Sequence, residues 1–489
     1  MVIGILNRIN IPPLQCTALG AAAGFYFIFH THLAVIILFF SVFLLLICFT
    51  EVLYSLFADS RKLRLTYICM ISFVVGLSIG LFAADLGRNE VNFGIRKENV
   101  IAVEAVLLED PRVISGGSVM APVSLRRSAG EGGLRVSAKG EMTIFFPPQN
   151  ADRLKQYGRG VVVFAEGSIR SSRHGYSLSA NSLHIVKPAP AIEQLRTGIR
   201  LNLVNRFNDQ KWGGLSLALL FGVRDNLDTE LTSLYRDAGL SYILALSGMH
   251  LAILAAVISF LLKKPLGLKG CAIAGAFLII LYCLFVGPMP SLYRAGLMYI
   301  LGVITILGAL PKQTMSILSL SFLIQIIITP VAGNSLSFIL SYVALLGILI
   351  TGLTLSSLLA GKIPDFILQP LSISIGAFLA TAGICSFTFG FIAPVGIIAG
   401  LVIVPLTTIF MIGSIIWLVL DFISLSFLLD LPLQFLYRLM EITASLSGNV
   451  PGITANPVLV LVLSISVILL IAILEQKRRK TLYQIQPFF

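Results

Sequence analysis

DAGLSYILALSGMHLAIL, residues 237–254, is apolar enough to enter a membrane. It nonetheless keeps Ser247, Gly248 and His250 at its centre. A plain core helix needs none of the three. Helical spacing puts Gly248, Ala252 and Ala256 on one face, a small-residue stripe that lets a neighbouring helix approach closely. Ser247 and His250 fall on an adjacent face, and a Ser-Gly pair is also a place where a helix bends or breaks.

The rest of the chain shows what kind of helix this is. Of 489 residues, 57% are hydrophobic and 12% charged, with a mean hydropathy of +0.94. Soluble domains carry about 25% charged residues, and several runs here reach the roughly 20 apolar residues of a bilayer span. The chain reads as an α-helical polytopic membrane protein. The start, MVIGILNRINIPPLQC, is read as a retained segment rather than a removable signal peptide. The six cysteines are scattered singly and read as small buried hydrophobes, not as metal or disulfide partners. The formal net charge is +12.

Three spans are expected near 14–30, 33–57 and 65–86, with His30 and His32 in the first turn. Eight more are expected near 239–262, 268–287, 291–310, 314–331, 336–358, 371–390, 393–420 and 456–474. Arg61, Lys62 and Arg64 place the loop before the third span in the cytoplasm, and Lys477, Arg478, Arg479 and Lys480 do the same for the tail. Eleven spans would leave the tail on the wrong side, so the count is about 11–12. Either 424–447 also crosses, or 393–420 is two pieces broken at Pro394 and Pro405.

Between 95 and 188 the long apolar runs stop. VIAVEAV (100–106), SVMAPVSL (118–125), MTIFF (142–146), VVVFAEGSI (161–169) and YSLSANSLHIV (176–186) alternate with period two, which predicts about five strands. Five strands in so short a segment suit a small β-barrel, OB-like among the choices. The segment has 13 Lys and Arg against 8 Asp and Glu. Arg126, Arg127, Arg135 and Lys139 flank a glycine-rich hairpin, and Arg170 and Arg173 mark another turn. With Phe145, Phe146, Tyr157, Phe164 and Tyr176 they offer either a solvated rim or a nucleic-acid surface. The organisation expected is 1–94 (three spans), 95–188 (extracytoplasmic β domain), 189–238 (amphipathic connector, with Arg196, Arg200 and Arg206 near one face), 239–475 (membrane domain) and 476–489 (basic cytoplasmic tail).

Four patches then carry a family resemblance: LLFGVRDNL (219–227), GLSYILALSGMHL (239–251), LYRAGLM (292–298) and LSFILSYVA (336–344). In this order and spacing the chain resembles the ComEC family of competence proteins. The resemblance implies an inner-membrane channel importing single-stranded DNA during natural transformation, with an OB-like domain receiving DNA outside. It implies a pathway along Arg236, Asp237, Tyr242, Ser247, Gly248, His250 and Arg294, and DNA contacts at Arg126, Arg127, Arg135, Lys139, Arg170 and Arg173. The expected partners are single-stranded DNA, membrane lipid, a cytoplasmic motor or helicase, a periplasmic DNA receptor and a separate nuclease. No catalytic set, metal site or cofactor is expected, because no P-loop and no H-x-H-x-D-H run occurs. Two features depart from the family: Tyr242 stands where its block has a first histidine, and the C-terminal metallo-β-lactamase-like domain of many members is not found.

Two other classes compete. Ser247 beside His250 suggests an intramembrane hydrolase, but residues three apart on one helix seldom align as nucleophile and base. A small-solute or lipid-linked transporter would use broken helices, yet no inverted repeat links 1–190 with 239–474.

Overall fold

The computed structural model describes residues 13–29, 60–87, 91–114, 117–130, 135–150, 154, 156–172, 175–310 and 313–485. Helices α1 (Pro13–Phe29) and α2 (Ser60–Leu86) meet backbone to backbone. A Cβ added to Gly76 would sit 2.0 Å from the Thr17 carbonyl oxygen, and one on Gly20 would sit 2.1 Å from that of Phe73. Gly24 and Gly80 repeat the contact four residues on. This is the small-xxx-small crossing that lipid-embedded helices use in place of a hydrophobic driving force. The basic residues 61–64 belong to the first turns of α2 rather than to a loop. The span expected at 33–57 and the turn with His30 and His32 lie outside the described residues.

All five strands expected in the next segment are present. They are β1 (Val100–Leu107), β3 (Val119–Gly130), β5 (Glu141–Phe146), β6 (Val162–Ser172) and β7 (Gly175–Lys187), with short β2 (Arg112–Val113) and β4 (Arg135–Ser137) beside β3. Alternating side chains turn inward, so Val103, Ala105, Val123, Ile144, Val163 and Leu178 form a buried core. The pairings run in a circuit. β1 pairs with β3 and β6, β3 with β5, β5 in parallel with β7, and β7 with β6.

The remaining helices are α3 (Ala191–Asn208), α4 (Gly213–Phe221), α5 (Thr229–Asp237), α6 (Ser241–Leu244), α7 (Gly248–Val286), α8 (Pro290–Leu307), α9 (Thr314–Ile328), α10 (Pro330–Gly333), α11 (Leu336–Gly347), α12 (Leu353–Leu359), α13 (Asp365–Phe389), α14 (Val395–Asp421), α15 (Phe427–Gly448) and α16 (Pro457–Ile485). A π-helical turn over Ile348–Gly352 joins α11 to α12. Among the described residues, seven helices are long and apolar enough to cross a membrane: the segments beginning at Ile68, Gly248, Pro290, Leu336, Asp365, Val395 and Pro457. The protein is multi-pass.

One of these seven is a hairpin. α7 is interrupted after Pro265 by Gly267, whose φ of 66° is open to glycine. Leu251, Ala255, Ile279 and Leu292 share one buried cluster. On a straight helix Leu251 and Ile279 would lie about 42 Å apart, so the chain turns back at Gly267. The exposed Lys263, Lys264 and Lys269 lie at the tip. The expected spans 239–262 and 268–287 are the arms of this hairpin, with the first arm starting at Gly248.

The two-piece alternative for 393–420 is not what the chain adopts. α14 runs unbroken through Pro405, and α15 is a separate 22-residue helix. Its Asp430 accepts the Trp417 indole N–H at 2.6 Å.

The connector also differs from its expected role as an interfacial helix. Leu217, Ala218 and Leu219 of α4 are completely buried, next to Phe207, Trp212, Phe410 and Trp417. Arg196 and Arg200 of α3 are turned toward the sheet and the end of α7, whereas Arg206 pairs with Asp421 at the end of α14. Arg159 pairs with Glu193, Glu193 with Arg196, Arg196 with Asp110, Asp110 with Arg200, and Arg200 with Asp225. Arg159 and Arg196 also donate to the carbonyls of Leu284 (3.0 Å) and Phe285 (3.1 Å), acceptors left open by the end of a helix. This chain of charges fastens the sheet to the helices.

Burial pushes the Asp110 carboxyl up, but the hydrogen bond from Arg196 and the charges of Arg200 and Arg196 outweigh it and hold the pKa below the usual range. A lowered folded-state pKa gives stability that is complete above the ordinary aspartate pKa and lost only as pH falls through the lowered value. The Arg196 and Asp110 side chains are 7% and 14% exposed. Asp110→Asn should therefore loosen the junction at neutral pH, by less than the roughly 3–5 kcal/mol of a wholly stranded buried charge, because Arg196 keeps Glu193 and the Phe285 carbonyl while Arg200 keeps Asp225. Hydrogen exchange over residues 108–112 and 191–200 measures it. Faster exchange is expected in the variant at pH 7, and in the parent chain only in acid.

Candidate functional site

The SGMH segment is a helix start, not the middle of a helix. α6 ends at Leu244, Ala245 is extended, and Ser247 (φ −130°, ψ 176°) is the N-cap of α7. The Met249 N–H donates to Ser247 Oγ at 3.3 Å, and the Ser247 N–H donates to His250 Nδ1 at 3.2 Å. This is a capping box with histidine in the place usually held by Glu or Gln. A backbone N–H can only donate, so Nδ1 accepts and the ring proton sits on Nε2. Ser247 Oγ lies 3.0 Å from the same Nδ1. His250 is 1% exposed, and among the described residues its Nε2 makes no hydrogen bond of normal geometry, though the Ile243 backbone lies within reach of the ring.

Arg294, in the first turns of α8, faces this helix start. A Cβ on Gly248 would lie 3.3 Å from Arg294 Nη2 and 3.7 Å from the Ala295 Cβ. The missing side chain at 248 is what lets the guanidinium come so close. Arg294 is 8% exposed. Its Nε donates to Ser341 Oγ, its Nη1 lies 3.8 Å from the Met298 sulfur, and its guanidinium stands 5.9 Å from the Tyr342 ring centre. The Tyr342 hydroxyl donates to Gln325 Oε1 at 2.9 Å, and Gln325 Nε2 donates to the Pro290 carbonyl at 2.9 Å. The network returns to the start of α8.

Among the described residues no carboxylate lies within 4 Å of Arg294. A buried charge inside a membrane bundle costs several kcal/mol unless it is paired. Here the partners are a hydroxyl, a thioether and a ring face. The guanidinium can therefore accept an anion, while the neighbours of the His250 ring are Ser247, Ile243 and Arg224 rather than Arg294.

Other expected pathway residues lie elsewhere. Arg236 and Asp237 are exposed and bond to each other at 3.2 Å. Tyr242 turns to α14, where a Cβ on Gly400 would lie 2.9 Å from its hydroxyl. Ser247, Gly248, His250 and Arg294 are brought together, joined by Ser341, Tyr342 and Gln325. The LSFILSYVA patch already contained the first two of these. The lone Gln325 in an apolar run was the signal for the third.

On the sheet, Arg126, Arg127, Arg135 and Lys139 are exposed along β3, β4 and the turn into β5. Arg135 stands over the Phe164 ring, 5.4 Å from its centre. Arg170 is exposed on the part of β6 that runs past its pairing with β1. Arg173 lies outside the described residues.

The sequence profile of the family described as "Competence protein" matches residues 219–478, more than half of the chain. The chain belongs to the Competence protein family. The matched region begins in α4 and contains the whole Arg294 centre. An "Uncharacterized protein" of Aquifex aeolicus (strain VF5) is 24% identical over 349 residues, covering 71% of this chain and 79% of that protein. "ComE operon protein 3" of Bacillus subtilis (strain 168) is 25% identical over 281 residues. That match covers 54% of this chain but 34% of the Bacillus protein, so the chain spans about a third of that relative's length. No solved structure matches the chain. Membership in the Competence family implies a role in DNA uptake in competence.

Proposed function

We propose that this Competence-family chain is a conduit, not an enzyme, through which single-stranded DNA crosses the cytoplasmic membrane. The observation that carries the proposal is Arg294, a buried guanidinium without an acidic partner among the described residues, facing the glycine gap at the start of α7 inside the family-matched bundle. A passing phosphodiester supplies the missing anion. Because each phosphate leaves as the next arrives, a site for one unpaired charge is more useful than a permanent ion pair.

The sheet is the receiving element in this reading. Its five long strands close a ring in a Greek-key order, which suits an OB-type barrel. Such barrels bind oligonucleotides on the face of their second and third strands and with the loops joining first to second and fourth to fifth. Here those strands and their hairpin carry Arg126, Arg127, Arg135 and Lys139, and the fourth strand carries Arg170 near its end. The lysines at the α7 hairpin tip and the basic residues of α2 and α16 support a reading with those ends in the cytoplasm and the sheet outside. In this reading a motor, a DNA receptor and a nuclease act together with it as partners.

The test is passage itself. Proteoliposomes holding the full chain are mixed with a fluorescent single strand, external DNA is digested, and the protected signal is measured. Protection above that of protein-free vesicles is expected. Equal protection in the two would overturn the proposal.

A further inference from the structure

Between the sheet and the helices lies a small cleft, with about 50 Å³ of room for the centres of water-sized molecules. One wall is the loop joining β1 to β3, with Glu109, Asp110 and Arg112, and the other is the turn from α7 to α8, residues 285–289. The floor is α3 and the turn after α4, with Phe221, Gly222 and Arg224. Five arginines line it: Arg112, Arg159, Arg196, Arg200 and Arg224. They are not equivalent. Arg159, Arg196 and Arg200 are held by the chain of carboxylates described above and form a fixed wall.

The other two have unused charge. Among the described residues Arg112 pairs only with Glu109, three residues away, with side chains 42% and 28% exposed. Exposed pairs of this kind are weak and exchange readily. Arg224 donates to the Leu244 carbonyl at 3.0 Å and is in no ion pair among the described residues. Desolvation by the cleft walls, and then the like charge of Arg112, hold its pKa below the usual arginine range, although part of the side chain meets solvent. Beside these two cations Phe221 and Phe285 meet edge to face, 5.9 Å between centres at 79°, both half-buried. Gly222, at φ 71°, brings the turn so close that a Cβ would lie 2.7 Å from Leu246. The floor of the cleft is thus continuous with the segment leading to Ser247 and the Arg294 centre.

We infer that this cleft is a binding site for single-stranded nucleic acid, with Arg112 and Arg224 taking phosphates and the Phe221–Phe285 pair stacking a base. A positive groove with an aromatic platform is how single strands are held without sequence preference. The aromatic pair favours a nucleic acid over a lipid headgroup, which has no base to stack. The inference rests on the conduit reading and adds a threshold between the receiving sheet and the passage.

The experiment uses the full chain in nanodiscs of zwitterionic lipid and a fluorescent oligothymidylate, with anisotropy measured across a salt series. For Arg112→Gln/Arg224→Gln, weaker binding is expected, with the slope of log affinity against log salt reduced by about 1.4, since each single-strand phosphate contact contributes roughly 0.7. Arg224→Lys should restore part of it. Phe221→Ala/Phe285→Ala should bind oligothymidylate about tenfold or more weakly and an abasic strand of equal length as the parent does. Retained hydrogen-exchange protection of residues 191–200 shows that the junction is intact in each variant. If the parent chain binds no strand at low salt, the conduit reading falls and the cleft with it. If it binds and the double arginine variant matches it in affinity and slope, the cleft inference alone is overturned. Loss of anionic-lipid binding without loss of strand binding would also overturn it, in favour of a headgroup site.

Discussion

Arg294→Met is expected to stop DNA passage while leaving the protein at least as stable as the parent. The two effects have opposite signs because the side chain is a buried cation without a carboxylate partner among the described residues. Replacing a buried charge by an apolar side chain of similar volume is often neutral or stabilising by about 1–4 kcal/mol. Ser341 loses a donor, but a helix hydroxyl can turn to a backbone carbonyl one turn back. Passage loses a charged hydrogen bond to phosphate worth about 1.5–3 kcal/mol, or roughly tenfold to a hundredfold in rate or occupancy. Gly248→Leu is the companion. It leaves the charge in place but drives a side chain into the guanidinium, which already stands 3.3 Å from the Cβ position, and it should stop passage too. Protected DNA in proteoliposomes and thermal unfolding of the same preparation give the two readouts. A destabilised Arg294→Met chain with normal passage per folded molecule would make Arg294 structural.

The features legible in the sequence are those written in local periodicity. Alternation over 100–106 and 142–146 located β1 and β5, because one face of each strand is buried. Long apolar runs located the helices, and the Ser-Gly pair marked a break. The chain of charges from Arg159 to Asp225 was not legible. Its central pair, Arg196 and Asp110, lies 86 residues apart in sequence, and nothing in the helical spacing of Arg196, Arg200 and Arg206 distinguishes a solvated face from one fastened to a sheet. The same limit hid the cleft. Arg112 and Arg224 are unremarkable in their own segments and acquire a role only when the α7 hairpin brings Phe285 beside Phe221. For the site itself, the residue types were visible but their partners were not. Asp237 and Tyr242 lie in the same stretch as Ser247, residues 237–254, and Arg236 just before it, yet the turn at Gly239 (φ 71°) and the extended Ala245 and Ser247 direct them elsewhere.

His250 is where sequence and structure together give the sharpest test. The ring has two nitrogens that substitutions can separate: Nδ1 closes the helix cap, and Nε2 carries a buried N–H without a normal hydrogen bond among the described residues. Glutamine is a natural capping-box residue at this place, and its amide keeps both an acceptor and a donor. His250→Gln should therefore fold with the stability of the parent and retain part of its passage. His250→Leu loses the cap, which costs about 1 kcal/mol, and it also loses the donor, so passage should fall further than stability does. Ser247→Ala is the control for the cap alone. It removes the acceptor for the Met249 N–H but leaves the Ser247 backbone N–H bonded to Nδ1, so the ring and its Nε2 proton stay where they are. If the imidazole serves the passage, Ser247→Ala should lower stability by about as much as His250→Leu while passing DNA per folded molecule as the parent does. If the histidine serves only the cap, the two variants should match in both measurements. Protected DNA normalised to folded protein, read beside the unfolding midpoint of each variant, separates these outcomes, and equal normalised passage for His250→Leu and the parent would remove His250 from the pathway.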